Sequence, residues 1–186
     1  MKKLRGLIAL VLAGATMLSV AGCSGVKRID DEDIFFEVLK NSAGIKKKDM
    51  MVRDKNTTYD GEDVEYLTFT EDGSNSYCYI RYEDADDAMD AFENKYDSFD
   101  DILDDNDFDG SHKKMLSKDQ GYLVLDGDIE EGITFDGMTF FESDTEYYGG
   151  YYVNGNVYIE VYCINGSKRD KEKVNAVLKE LGLPNP

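Results

Sequence analysis

The chain has 186 residues, with 39 acidic against 21 basic side chains and a formal net charge of −18. That balance repels phosphate backbones and anionic surfaces, which argues against nucleic acid as a partner and for cations or basic molecules. Acid-rich chains can be disordered, but 13 Tyr, 9 Phe and only 2 Pro, both at the C-terminal end, describe a folded domain.

The chain opens with a basic start, Lys2, Lys3 and Arg5, followed by an uncharged run from Gly6 to Gly22. A basic start, an apolar middle and small residues before a cut site are the parts of a secretory signal. Spanning a bilayer takes about 20 apolar residues, and this run is shorter, with Ala and Gly crowded at its end. It closes on Val20-Ala21-Gly22-Cys23, which resembles the lipobox of bacterial lipoproteins. The resemblance implies that the Cys23 thiol receives a diacylglyceryl group of palmitate type and that a signal peptidase cuts before it. The protein would then be held by lipid on the extracytoplasmic face of the cell membrane. Residues 1–22 are read as signal peptide, 23–30 as a tether and 31–186 as one domain. Losing Lys2, Lys3 and Arg5 leaves 18 basic against 39 acidic side chains, a mature charge of −21.

Asp31, Glu32 and Asp33 lead into the stripe Ile34, Phe35, Val38, Leu39, which predicts a helix stopped by Gly44. Lys46-Lys47-Lys48 reads as a local salt-bridging face. Val64, Tyr66 and Thr68 alternate with Leu67 and Phe69, and Cys78, Ile80 and Tyr82 share a face of the next run. Asp72-Gly73 between these two runs predicts a hairpin. Ala85, Ala88, Met89, Phe92, Tyr96, Phe99 and Leu103 fall on one helical face, behind Asp84 as N-cap. The opposite face is acidic.

From Lys113 to Ile164 strands are predicted at 115–116, 122–125, 133–141, 147–153 and 157–164. Asp126-Gly127, Asp136-Gly137, Gly149-Gly150 and Asn154-Gly155-Asn156 read as turn signals. In the last strand Val157, Ile159, Val161 and Cys163 point one way and Tyr158, Glu160 and Tyr162 the other. Lys168 to Leu181 predicts a closing helix ended by Gly182 and Pro184. The fold class is α+β: an antiparallel sheet with helices packed on one face, in the order helix, strands, acidic helix, strands, helix.

Once Cys23 is set aside, Cys78 and Cys163 remain. Each shares a strand face with apolar residues, so both are expected on the core side. Adjacent strands would allow a disulfide, and two buried free thiols are the other reading. A lone His112 beside lysines supplies neither a triad nor a zinc site. Tyr148, Tyr152, Tyr158 and Tyr162 suggest a binding face on the sheet, against ordinary half-buried strand packing.

Asp105-Asn106-Asp107-Phe108-Asp109-Gly110 resembles the first half of an EF-hand loop. That implies calcium ligands at Asp105, Asp107 and Asp109 and the Ser111 carbonyl. Leu116 stands where the family has its bidentate Glu, so the expected affinity is weak.

The tether, the acidic helix and the ending Leu181-Gly182-Leu183-Pro184 are similar to those of small uncharacterised surface lipoproteins of Gram-positive bacteria. That likeness implies no activity. The expected function is a non-enzymatic binding or accessory module for a basic protein, a peptide or a cell-wall component. The alternative is an extracytoplasmic hydrolase built on paired carboxylates.

Overall fold

The computed structural model describes residues 25–59, 61–105, 107–130, 134–135, 138–139 and 144–186, with the backbone alone described at 54–56, 104–105, 134–135 and 138–139. Helix α1 (Glu32–Val38) is capped by the Asp31 carboxylate, which accepts from the Asp33 N–H, and runs into a π-helical turn, Leu39–Ala43. A hairpin and third strand follow: β1 (Met51–Tyr59), β2 (Glu62–Asp72) and β3 (Asn75–Tyr82). Helix α2 (Ala85–Asp105) leads to β4 (Phe108–Leu116) and β5 (Gln120–Ile129), then to a short ribbon of β6 (Thr134–Phe135) and β7 (Met138–Thr139). Strands β8 (Thr145–Asn154) and β9 (Val157–Ile164) precede the closing helix α3 (Lys168–Leu181).

Seven strands form one antiparallel sheet in the order β1-β2-β3-β9-β8-β5-β4. Two meanders meet at the β3–β9 pair. Because β3 lies in the middle and β4 on the far edge, α2 must carry the chain across one face. After β9 the chain returns as α3 across the other. The helices therefore cover both faces, which corrects the expected single covered face.

The residues of the central strands require this. On β3, Tyr77 and Tyr79 belong to one core, and Cys78, Ile80 and Tyr82 to the other. On β9, Val157, Ile159, Val161 and Cys163 alternate with Tyr158 in the same way. Strands apolar on both sides must be buried on both sides. The first core gathers Phe35, Leu39, Val174, Val177, Leu178 and Leu181 from α1, its π-helical turn and α3. The second gathers Ala88, Met89, Phe92 and Phe99 from α2. Each such large side chain, fully buried, contributes about 1.5–3 kcal/mol.

Helix α3 begins as its sequence predicts. The Ser167 and Asp170 side chains form a reciprocal capping box, satisfying donors that the first helical turn would leave orphaned. At the Lys46–Lys48 cluster, Lys47 pairs with Asp33 at 3.2 Å and lies 4.2 Å from the Phe36 ring centre. That is the local face expected of it.

The segment read as a tether is docked from Gly25 onward. Val26 and Ile29 are 6% and 2% exposed and belong to the first core. The Val26 N–H donates to Gln120 Oε1 at 3.0 Å, and Asn154 Nδ2 donates to the Val26 carbonyl at 2.6 Å. The Tyr79 hydroxyl donates to the Ile29 carbonyl at 3.1 Å. Two apolar side chains, two and five residues ahead of the acidic helix start at Asp31, were the signal for this, and a reading centred on the lipid cysteine passes over it.

Candidate functional site

Strand β9 places one acidic side chain, Glu160, in the middle of an apolar sheet. Register puts it in a row that crosses the whole sheet: Met51, Phe69, Cys78, Glu160, Tyr151, Leu123 and Lys114 are successive partners. Glu160 is 5% exposed. Its Oε1 accepts from the Tyr158 hydroxyl at 2.8 Å and from the Tyr59 hydroxyl at 3.3 Å. A buried carboxylate is costly unless such donors meet it.

Helix α2 packs over β8, β5, β9 and β3 on this face. On the β1 and β2 side the row opens into a cleft of about 370 Å³, lined by Met51, Tyr59, Leu67, Phe69, Cys78, Glu160 and Tyr162. Its walls are apolar, with a carboxylate and two phenols as the polar groups. That suits a ligand with an apolar body and a hydrogen-bond-donating or cationic end.

Beside Glu160 stands an aromatic cluster. Tyr147 and Tyr162 stack with ring centres 5.3 Å apart, Tyr151 lies 5.8 Å from Tyr162, and Phe99 of α2 lies 5.4 Å from Tyr151. Gly149 makes the cluster sterically feasible. Its φ is +137°, and a Cβ there would lie 2.3 Å from the Val161 carbonyl oxygen and 2.4 Å from Tyr162 Cα. Burial, followed by the charges of neighbouring tyrosines, pushes the Tyr147 hydroxyl well above the ordinary tyrosine range. Burial and then the Glu160 carboxylate do the same at Tyr158. These phenols stay protonated and act as hydrogen-bond donors rather than bases.

The four tyrosines expected to share one binding face do not. Tyr148 and Tyr152 lie with the first core, Tyr158 and Tyr162 with the second, on opposite sides of the sheet. Tyr152 and Tyr158 are 1% and 0% exposed. The Tyr152 hydroxyl donates to the Pro184 carbonyl at 2.7 Å, so it ties down the C-terminal end. Strand alternation explains the split: residues on β8 and β9 were grouped without the pairing that assigns their faces.

Cys78 and Cys163 are both buried, and neither is in a disulfide. Their strands are adjacent, as a bridge would need, but Cys78 pairs with Glu160 and Cys163 with Asn75. They point to opposite faces, so the expected disulfide is not formed. Burial pushes the Cys163 thiol up to about 11, which keeps it unreactive.

The EF-hand-like run takes a different course from the expected loop. Asn106 and the Asp105 side chain lie outside the described residues. From Phe108 onward the backbone is β4, with Asp109, Gly110 and Ser111 paired to Asp128, Gly127 and Asp126 of β5. Gly110 makes no sharp turn there. It faces Gly127, where a Cβ would lie 2.4 Å from the Asp126 carbonyl oxygen and 2.9 Å from the Phe108 ring. Close strand approach under an aromatic ring, rather than ion binding, accounts for the glycine. Among the described residues no three His, Cys, Asp or Glu side chains gather as a metal site. His112 lies exposed on β4.

Sequence reasoning placed Glu160 on its face without marking it as a site. The signal was present: a single carboxylate within Val157-Tyr158-Ile159-Glu160-Val161-Tyr162, where every neighbour is apolar or aromatic. Tyr59, Met51 and Phe69 had no such signal, because only register brings them to it.

Cys23 lies outside the described residues. Among the described residues no helix is long and apolar enough to cross a membrane. No family model and no curated protein matches the chain. Among solved structures it is similar to the extracellular domain of PknH from Mycobacterium tuberculosis, at 10% identity and a TM-score of 0.37, over 85% of this chain and 99% of that one.

Proposed function

We propose that this chain is a lipid-anchored extracytoplasmic module that binds a partner without chemical turnover, through the cleft over Glu160. The anchoring half rests on Val20-Ala21-Gly22-Cys23 behind its basic and apolar leader. The binding half is carried by one observation, a carboxylate 5% exposed in the lining of an otherwise largely apolar cleft. A basic side chain or an amine on an apolar body complements that site, and the mature charge of the chain draws such partners in. A basic protein, a basic peptide and an amine-bearing cell-wall component all have this chemistry.

Two experiments test the two halves. Cys23→Ala should move the protein out of the membrane fraction, because two acyl chains supply the stable attachment. A mature-sized Ala variant that still pellets with membranes contradicts the anchor. Crosslinking capture from native membranes is then compared between the wild-type chain and Glu160→Gln, with melting curves confirming that the variant is folded. Loss of the captured species supports the cleft, and unchanged capture contradicts it.

The hydrolase alternative requires a second carboxylate facing the first across the substrate. Among the described lining residues Glu160 is the carboxylate of the cleft, which favours the binding reading.

A further inference from the structure

If the Cys23 anchor just proposed is in place, the docked segment behind it fixes how the domain stands on the membrane. Only Ser24 separates the lipid-bearing residue from Gly25, the first of the described residues. Two residues span at most about 7 Å. Gly25 packs against Gln120, a Cβ on it lying 2.9 Å from Gln120 Oε1. Lys27 lies against Gly182 at the C-terminal end of α3, and the Arg28 guanidinium donates to Asn156 Oδ1 at 3.0 Å. The Gly155 N–H donates to the Asp119 carbonyl at 2.9 Å. The segment thus runs across one end of the sheet, where the β4–β5 turn, the β8–β9 turn and the end of α3 meet.

We propose that this end is a membrane-contact surface, so that the domain stands on the bilayer with its strands along the membrane normal. Its β2–β3 turn and the N-terminal end of α3 then point outward. Leu116, 44% exposed at the end of β4, and the exposed Lys118 in the following turn offer an apolar contact and a charge for the headgroup layer. Charge does not drive the approach, since two acidic residues, Asp63 and Glu83, stand at the same end, where the Glu83 N–H donates to the Asp63 carbonyl at 3.4 Å. The short docked segment does. A freely jointed tether of residues 23–30 would let the domain tumble, whereas Val26 and Ile29 in the core do not.

The test uses the full-length lipidated protein in phosphatidylcholine vesicles containing a headgroup-nitroxide lipid. Lys118→Cys and Lys168→Cys each place one reactive thiol for a bimane label, because Cys23 is acylated and Cys78 and Cys163 are buried. Lys168 opens α3 and Lys118 lies in the β4–β5 turn, at the end of the sheet where α3 finishes; the 14 residues of α3 span about 21 Å. Quenching several-fold stronger at 118 than at 168 is expected. A Gly-Ser linker of about ten residues inserted after Ser24, with a reach of roughly 17 Å, should bring the two values together. Equal quenching without the linker, on protein whose Cys23 peptide carries the diacylglyceryl mass, overturns the docking while leaving the anchor intact. Absence of that mass overturns the anchor and the docking with it. Strong quenching at 118 that survives the linker overturns the short segment as its cause.

Discussion

Cys78 stands directly across from Glu160 and Cys163 directly across from Asn75, on the same pair of strands but on opposite faces of the sheet. The strands are adjacent, but the two cysteines are offset by three residues along them and point to opposite faces, and each of these forbids a disulfide. The domain from Ser24 onward, denatured without reductant, should therefore show two titratable thiols. In the native state neither should react quickly with a thiol reagent, since both are buried and the Cys163 thiol is held up to about 11. Zero thiols in the denatured sample would contradict the β3–β9 register.

Gly149→Ala should be among the most damaging single changes in the chain. Its Cβ has no room against the Val161 carbonyl at 2.3 Å, and its φ of +137° is one that side chains rarely adopt. The neighbours are backbone and cannot swing aside. A cost of about 3 kcal/mol or more is expected. The aromatic cluster of Tyr147, Tyr151 and Tyr162 should loosen with it, seen as a weaker near-ultraviolet circular dichroism band. An unchanged band and an unchanged melting temperature would show that β8 and β9 are not so close.

The buried phenols give the domain an alkaline limit. Burial raises the Tyr79 hydroxyl to about 12, and burial likewise raises Tyr77, Tyr147, Tyr151, Tyr152, Tyr158 and Tyr162. In the unfolded chain these groups ionise near pH 10. Below that pH both states keep their protons and this contribution to stability is complete. Above it the unfolded state loses protons first, so stability falls as pH rises from about 10 through the folded-state values. Phenolate absorbance near 295 nm, followed against pH, should show the exposed tyrosines first. A late cooperative step should then coincide with loss of far-ultraviolet dichroism. All tyrosines ionising smoothly near pH 10 in a folded chain would refute the burial described.

Local signals carried the elements well, and long-range pairing carried the site. Helix α3 spans Lys168–Leu181 and stops at Gly182 as its apolar pattern predicts, and the alternation of β9 assigns its two faces correctly. On β2 the same reasoning put Val64 with Tyr66, but a bulge between them sends Val64 to the α2 core with Leu67. One extra residue reverses a face, and nothing local announces it. Gly127 and Gly149-Gly150 read as turns and lie inside strands, because a glycine needed for close strand approach has the same sequence signature as one needed for a turn. The row from Met51 to Lys114 exists only through register, so the surroundings of Glu160 could not be read from its neighbours in sequence.

Ile29 gives the sharpest test of where the folded domain begins. It is 2% exposed and belongs to the core that also holds Phe35 and Tyr79, and the Tyr79 hydroxyl bonds to its carbonyl. Ile34, five residues on, is 47% exposed on the outer side of α1. Truncating each to Ala removes the same atoms in opposite surroundings. Ile29→Ala should cost about 2–5 kcal/mol through lost burial and the cavity left behind, and Ile34→Ala should stay within about 0.5 kcal/mol. Urea unfolding of the domain from Ser24 onward measures both, as shifts in midpoint at constant slope. In a domain of this size the Ile29 change should also lower the melting temperature by roughly 5–15 °C. Equal small effects at both positions would return residues 25–30 to the role of a loose tether. The fixed stance of the domain on the membrane would then lose its support.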